Sequence, residues 1–202
     1  MRKITASVML LVLSTAAAMA AGPVIGAVAP DFTGVDSNGN SVTLSDLRGK
    51  IVVLEWTNHD CPYVRKHYGS GNMQALQAEA QDAGVVWLTI ISSAPGKQGY
   101  VEPAEANRLT ESRKAVPHAV LLEPDGDIGR AYGARTTPHM FVIDADGVLR
   151  YKGGIDDKPT SDPADIATAN NYVRAALADI ATGSEIRTAV SRPYGCSVKY
   201  GT

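Results

Sequence analysis

The sequence predicts an α/β layered domain, and three observations carry that expectation. Two apolar runs, Ile51-Val52-Val53-Leu54 and Val85-Val86-Trp87-Leu88-Thr89-Ile90-Ile91, have the β-branched, unalternating character of strands covered on both faces. Segments between and after them space their apolar residues by three and four, the period of a helix. Late in the chain, Asp144-Ala145-Asp146-Gly147 joins two short apolar runs with the turn chemistry of an antiparallel hairpin. Strands alternating with helices, then a hairpin and a terminal helix, make a sheet layered with helices.

Each element follows from local chemistry. Thr33–Asp36 and Ser41–Leu44 flank Asn38-Gly39 and read as a small hairpin. Ser45 is expected to cap a single turn ending at Gly49. Pro62, with its fixed φ, suits the first turn of a helix. Gly69-Ser70-Gly71 is expected to interrupt that helix, which resumes through Met73, Leu76 and Ala80 and stops at Gly84. Pro103–Lys114 reads as a helix with acidic residues early and basic residues late. Ala119–Leu122 is a third strand, and Ile128–Tyr132 a short helix. His139–Ile143 and Val148–Tyr151 form the late hairpin. Ser161 or Asp162 is expected to cap one final helix, Pro163–Ala181, closed by Gly183. The tail, residues 184–202, shows no period.

At 202 residues, 45% apolar and 20% charged, the chain has the composition of a globular protein with one core. Its net charge of −2 carries no basic excess that would argue for nucleic acid. The first twenty residues differ in kind. Arg2 and Lys3 precede an apolar run, Val8 to Leu13, and Ala18-Met19-Ala20 is a small-x-small cleavage signal. The expected organisation is a cleaved signal peptide over 1–20, a domain over 21–183 and a tail over 184–202. Export to a periplasm or to the medium follows, with no integral membrane segment after processing. An oxidising compartment would permit a disulfide between the two cysteines, Cys61 and Cys196.

The stretch Trp56-Thr57-Asn58-His59-Asp60-Cys61-Pro62-Tyr63-Val64 places a cysteine where a buried strand gives way to a helix. Unpaired N–H groups of a first helical turn favour a thiolate at that position. Pro62 starts the turn, Arg65 falls on the same helix face, and Lys66 and His67 add positive charge, against the opposing Asp60. Trp56, Asn58, His59 and His139 are candidates to line the cleft. No compact ligand spacing supports a metal, and no cofactor motif stands out.

Ala29-Pro30-Asp31-Phe32, the Asp46-Leu47-Arg48-Gly49-Lys50 lead into a strand, Cys61-Pro62, and Thr137-Pro138, in that order, resemble the redoxin branch of the thioredoxin-like superfamily. That branch contains alkyl hydroperoxide reductase/thiol-specific antioxidant and peroxiredoxin-like proteins. The resemblance covers roughly residues 24 to 181. It implies a thioredoxin-like fold, a central mixed sheet with helices on both faces and an N-terminal hairpin extension. It also implies a cis Thr137-Pro138 bond facing Cys61, beside which an extended substrate strand could pair.

The resemblance departs from its parents at three positions. Thioredoxins carry a second cysteine where this chain has Val64, so no local disulfide can form. Peroxidatic sites carry a proline where this chain has Leu54 and a hydroxyl residue where it has Asn58, with Thr57 one place away. A lone nucleophile must be resolved by a distant cysteine, another chain or a small thiol, and Cys196 is the distant candidate. Reversible pairing, a permanent structural disulfide and unrelated roles all remain open. A permanent bridge closing a loop longer than ~100 residues would contribute about 5 kcal/mol in the chain-entropy account.

The expected activity is thus thiol oxidoreduction, by disulfide exchange or peroxide reduction. Cys61 is the nucleophile and Cys196 its resolving partner, with Thr137 and Pro138 completing the site. The expected partners are a thiol or disulfide protein or a small peroxide, and an external thiol reductant; oligomeric state is left open. The alternative is a non-enzymatic binding module or metal carrier of the same fold, with a structural Cys61–Cys196 bridge.

Overall fold

Asp36 shows how closely the first elements follow local chemistry. Its buried carboxylate accepts the backbone N–H groups of Asn38 and Asn40, closing the turn between β1 (Thr33–Val35) and β2 (Ser41–Thr43). The two strands pair antiparallel, Thr33 opposite Thr43. A 3₁₀ turn over Leu44–Leu47 follows, but Ser45 does not cap it. Ser45 lies inside the turn and donates its N–H to Asp31 Oδ1, which supplies the missing acceptor from an upstream segment.

The computed structural model describes residues 22–202, so the expected leader over 1–20 lies outside the described residues. β3 (Val52–Trp56) is buried along its whole length. It leads to α1 (Pro62–Gly69), a break at Ser70-Gly71, and α2 (Asn72–Asp82). β4 (Val86–Ile91) is likewise buried throughout. Next come α3 (Pro103–Ser112), β5 (Ala119–Leu122), α4 (Asp127–Tyr132), β6 (Thr136–Thr137), β7 (His139–Ile143) and β8 (Leu149–Gly153).

The main sheet runs β5-β4-β3-β7-β8. β3, β4 and β5 are parallel neighbours, whereas β7 is antiparallel to both β3 and β8. This is a thioredoxin-like mixed sheet with β3 at its centre. Side chains alternate across it. Val52, Leu54 and Trp56 pack with the 29–47 region and α4; Val53 packs with Val64, Met73, Leu76 and Val173 on the other face. Cys61 belongs to this second core.

The final helix is not continuous over 163–181. A 3₁₀ turn spans Pro163–Thr168, capped by Asp162 accepting the Ala164 N–H, and α5 begins anew at Tyr172–Ala181. Asn171 is the true cap of α5, accepting the Arg174 N–H. The break is held from outside: Asn170 bonds the Asp157 carboxylate, and Tyr172 donates its N–H to Ile155 O.

The tail crosses the molecule. Lys152 of β8 donates its N–H to Ala189 O and accepts the Ser191 N–H, and β9 (Cys196–Ser197) pairs antiparallel with β6. Lys199 O then accepts the Ala94 N–H beyond β4, and Tyr200 Oη donates to Ala134 O.

Candidate active site at the start of α1

The main-chain path from β3 to Cys61 is fixed before any side chain is considered. Thr57 N–H bonds Ile90 O, so the strand continues one residue past Trp56. Asn58 then turns the chain: its carbonyl accepts the Cys61 N–H, and its side chain accepts the Asp60 N–H and donates to Gln98 O. Gly99 lies against that side chain with φ +86°, and a Cβ there would sit 2.4 Å from the Asn58 amide carbon. Asn58 is therefore a buried bracket between the Cys61 turn and the 98–99 loop.

Cys61 is the N-cap residue of α1, with Pro62 at the first helical position. It has no solvent exposure. Its thiol donates to Thr137 O at 3.2 Å, and the Thr137-Pro138 bond is cis. Across the β6–β9 ladder, Thr137 pairs with Cys196. The two cysteines, both free thiols, are thus brought to the same carbonyl from opposite ends of the chain.

The two sulfurs are electrostatically unequal. Burial opposes ionisation of Cys61, but the Cys196 thiol, the Val64 N–H and the Thr137 hydroxyl outweigh it and hold Cys61 below the usual thiol range. Thr137 Oγ1 is buried and has no partner while Cys61 is a thiol; a thiolate gives it one. Cys196 is pushed up to about 11, by burial and then by its contact with Cys61. The pair consists of one sulfur held below and one held above the usual thiol range.

A directional polar chain holds the tail beside this pair. Asn72 Nδ2 donates to His67 Nδ1 at 2.8 Å, which assigns the ring proton to Nε2. Nε2 then faces Tyr194 Oη at 3.3 Å, and Tyr194 donates to Asp156 Oδ1 at 2.5 Å. His67 is fully buried, and burial lowers it to about 4, so it is neutral at pH 7. Lys66, also buried, donates to Lys158 O and lies 3.8 Å from Asp156. Both α1 polar side chains therefore point inward at the 156–158 loop and the tail.

A second polar cluster lies deeper on the same face. Glu55 of β3 accepts from Trp87 Nε1, Tyr68 Oη, Thr89 Oγ1 and Gln77 Nε2. Burial pushes its carboxyl up against these hydrogen bonds. Both carboxylate oxygens are engaged, a satisfied arrangement for a group with no water around it.

The sequence-derived candidates separate into groups. Cys61, Cys196, Thr137 and Pro138 come together, and Pro62 and His67 lie within the same region. His67 faces the tail as a neutral ring, and Arg65 turns to Asp60 Oδ1 and His59 O. Hydrogen-bond donors, not these cations, lower Cys61. Asn58 braces the loop from within. His59 and Thr57 line a separate cavity of about 30 Å³ with Tyr68, Thr89 and Arg113. Trp56 and His139 lie on the opposite face of the sheet. Trp56 donates to Ser92, and His139 stacks on Phe141 with ring centroids 4.6 Å apart. His139 is pushed down to about 3 by burial. The period-2 rule of strands explains both placements: Trp56 and His139 are register partners and point the same way, away from Glu55 and Met140.

Sequence reasoning missed Glu55, Asp156, Tyr194 and the structural use of Lys66. Glu55 was visible as a lone carboxylate inside a strand too apolar to tolerate one without partners. Asp156 and Tyr194 gave no such signal, because their partners lie far away along the chain.

The AhpC/TSA family profile matches residues 25–152. Among curated proteins, the chain is 25% identical over 122 residues to the thiol-disulfide oxidoreductase ResA of Bacillus subtilis, covering 60% of this chain and 63% of that protein. It is 29% identical over 144 residues to peroxiredoxin-2 of Rattus norvegicus, covering 62% and 67% respectively. The chain therefore spans somewhat less than two thirds of the length of this ResA. A solved structure of a hypothetical protein from Sinorhizobium meliloti 1021 superposes with a TM-score of 0.74 at 21% identity, over 89% of this chain and 96% of that one. The profile match runs through β3, the Cys61 turn, the cis Thr137-Pro138 bond and most of β8, and on that match the chain belongs to the AhpC/TSA family.

Proposed function

We propose that the protein is an exported thiol-disulfide oxidoreductase, with Cys61 as nucleophile and Cys196 as resolving cysteine. The observation that carries this reading is the convergence of both sulfurs on Thr137, with Cys61 held below and Cys196 above the usual thiol range. The Cys61 thiolate attacks one sulfur of a substrate disulfide; a mixed disulfide forms, and the other substrate sulfur leaves as a thiolate. Cys196 gives up its proton to solvent or to the departing sulfur and attacks Cys61. This releases the second substrate thiol and leaves a Cys61–Cys196 disulfide. An external dithiol then reduces that bond by the same exchange.

Disulfide exchange is favoured over peroxide reduction by the fate of two residues. Asn58 has both ends of its amide committed to the loop, and Thr57, its hydroxyl buried without a hydrogen-bond partner, lines the cavity shared with His59 and Arg113. Neither is bonded to the Cys61 sulfur. The relatives named as ResA and as a peroxiredoxin are consistent with thiol chemistry of either kind. Export rests on the basic-apolar-small pattern of residues 1–20, and intact mass of the periplasmic or secreted protein tests it. Among the described residues no helix is long and apolar enough to cross a membrane.

Mass spectrometry of the mature protein after a model disulfide tests the chemistry. The wild type should accumulate the internal disulfide. Cys196→Ser should stop at a mixed disulfide on Cys61, and Cys61→Ser should lose reaction at this site altogether. A Cys196→Ser protein that turns over substrate at the wild-type rate would remove Cys196 from the mechanism.

A further inference from the structure

The edge of β6 is where an incoming extended strand would meet Cys61, and in this structure it is occupied. β9 pairs with it, Thr136 opposite Ser197 and Thr137 opposite Cys196, and Val198 N–H bonds Arg135 O one residue further on. Cys61 is fully buried with Cys196 of the tail against it, yet the tail itself is shallow. Tyr194, Gly195 and Cys196 are half-buried, Arg192 and Ser197 are exposed, and an open groove of about 580 Å³ runs along residues 191–195. A strand so little buried opens more readily than the core beneath it.

Two features decide how this strand is held. Tyr194 reaches into the polar chain on α1, donating to Asp156 and facing His67 Nε2. Its ring also packs edge-on against Tyr63, with centroids 5.9 Å apart. Gly195, directly before the cysteine, has φ +126°, and a Cβ there would lie 2.0 Å from Thr137 O. That same carbonyl receives the Cys61 thiol. The strand comes so close to the carbonyl that receives the Cys61 thiol that only glycine fits in this conformation.

We infer that the tail is a latched stand-in for an external substrate strand, released at Tyr194, and that the substrate is an extended protein segment presenting glycine immediately before its disulfide-bonded cysteine. The inference rests on the oxidoreductase reading above and names the substrate class of the same site. Exchange with such a segment forms a Cys61–substrate disulfide and expels the substrate's former partner thiolate. When the tail re-seats, Cys196 attacks Cys61 and expels the segment as a free thiol. Substrate and tail thus take turns on one edge.

The test uses full-length mature protein with the resolving sulfur removed. Cys196→Ser and the double variant Tyr194→Phe, Cys196→Ser are each mixed with two probes. One is a Pro-Tyr-Gly-Cys-Ser peptide activated as its thionitrobenzoate disulfide; the other is 2-hydroxyethyl disulfide. Loss of the Tyr194 hydroxyl should speed the peptide reaction at least ~10-fold, the equivalent of one charge-assisted hydrogen bond, and speed the small disulfide less, because that probe needs only the sulfur uncovered and not the whole β6 edge vacated. Gly195→Ala on the Cys196→Ser background should open the same edge from a second residue. An Ala-Cys version of the peptide should react ~10-fold more slowly than the Gly-Cys version on every variant.

Equal acceleration of both probes would reduce Tyr194 to a structural role, and equal rates for the two peptides would remove the glycine requirement; either result overturns the inference. Reaction of Cys61 with neither probe in any variant would sink the oxidoreductase reading itself.

Discussion

Cys196 sits directly opposite Thr137 across a two-residue ladder, and the carbonyl of that same Thr137 accepts the Cys61 thiol. A single residue therefore sets the position of both sulfurs: its main chain aligns one and receives the other. The hydroxyl of Thr137 adds a third contact, since it is buried without a partner until a thiolate forms.

Thr137→Val should separate reactivity from stability. It keeps the carbonyl and the β-branched shape but removes the hydroxyl. The Cys61 pKa should rise, and alkylation below that pKa should slow by up to ~10-fold, the worth of one hydrogen bond to a charged group. Stability should be unchanged or slightly improved, because an unpartnered buried hydroxyl is lost. Iodoacetamide rate profiles against pH, alongside urea melts, measure both.

Cys196→Ala and Cys196→Ser should differ in the same assay. Alanine deletes the donor that favours the Cys61 thiolate, whereas serine keeps an O–H in its place. The alanine variant should have the higher Cys61 pKa of the two. Identical profiles would show that the Cys196 proton does not tune Cys61.

Glu55 and His67 should oppose one another in the acid range. His67 lies at about 4 in the folded protein against 6.5 when unfolded, so its contribution is present above pH 6.5 and is lost as the pH falls towards 4. Glu55 is raised above 4.5, so the folded state keeps a proton that the unfolded chain gives up; its contribution is present below pH 4.5 and fades as pH rises. His139 shares the sign of His67, and Glu123 that of Glu55. Glu55→Gln removes one opposing proton, so its stability should fall more steeply than that of the wild type between pH 6.5 and 4.5. The added slope is at most ~1.4 kcal/mol per pH unit, measurable as urea midpoints across the range.

Asp156→Ala should be severely destabilising, by about 3–5 kcal/mol. It strands the buried Lys66 ammonium and removes the acceptor for Tyr194 Oη. Asp156→Asn should cost less, because an amide oxygen still accepts from Tyr194. Chemical denaturation of the two variants gives the comparison, and equal losses would contradict the assigned role of the hydrogen bond.

Gly99→Ala should disturb the Cys61 turn from a distance. The new methyl would collide with the Asn58 side chain at a left-handed φ, a cost of about 1–3 kcal/mol. Because Asn58 O accepts the Cys61 N–H, the loss should appear in Cys61 alkylation rates as well as in thermal melts.

The mixed sheet was legible because its strands announce themselves locally. Val52–Trp56 and Val86–Ile91 are buried on both faces and read as such without any partner in view. Helix breaks were legible where glycine makes them, at Gly69-Ser70-Gly71, and illegible where a remote contact makes them, as at Asn170-Asn171. The same division runs through the site. Cys61 at the head of α1 follows from its neighbours in sequence, but the side of the sheet taken by His139 depends on strand parity after a cis bond. Tyr194 and Asp156 hold the tail through partners on α1 that no periodicity connects to them. Local chemistry pointed to Cys61 at the head of α1; only tertiary contacts placed the tail against it.

The path of the tail has a temporal consequence. Residues 194–200 emerge during synthesis after every element they touch: α1, the loop beyond β4, α4 and β6. Closing this segment spans nearly the whole domain, the kind of contact whose chain-entropy cost delays its formation. While the domain takes shape, the thiol at the head of α1 stands uncovered. The tail arrives only when the last strand is laid down, so the nascent protein passes through an interval in which its proposed nucleophile is open to any disulfide it meets.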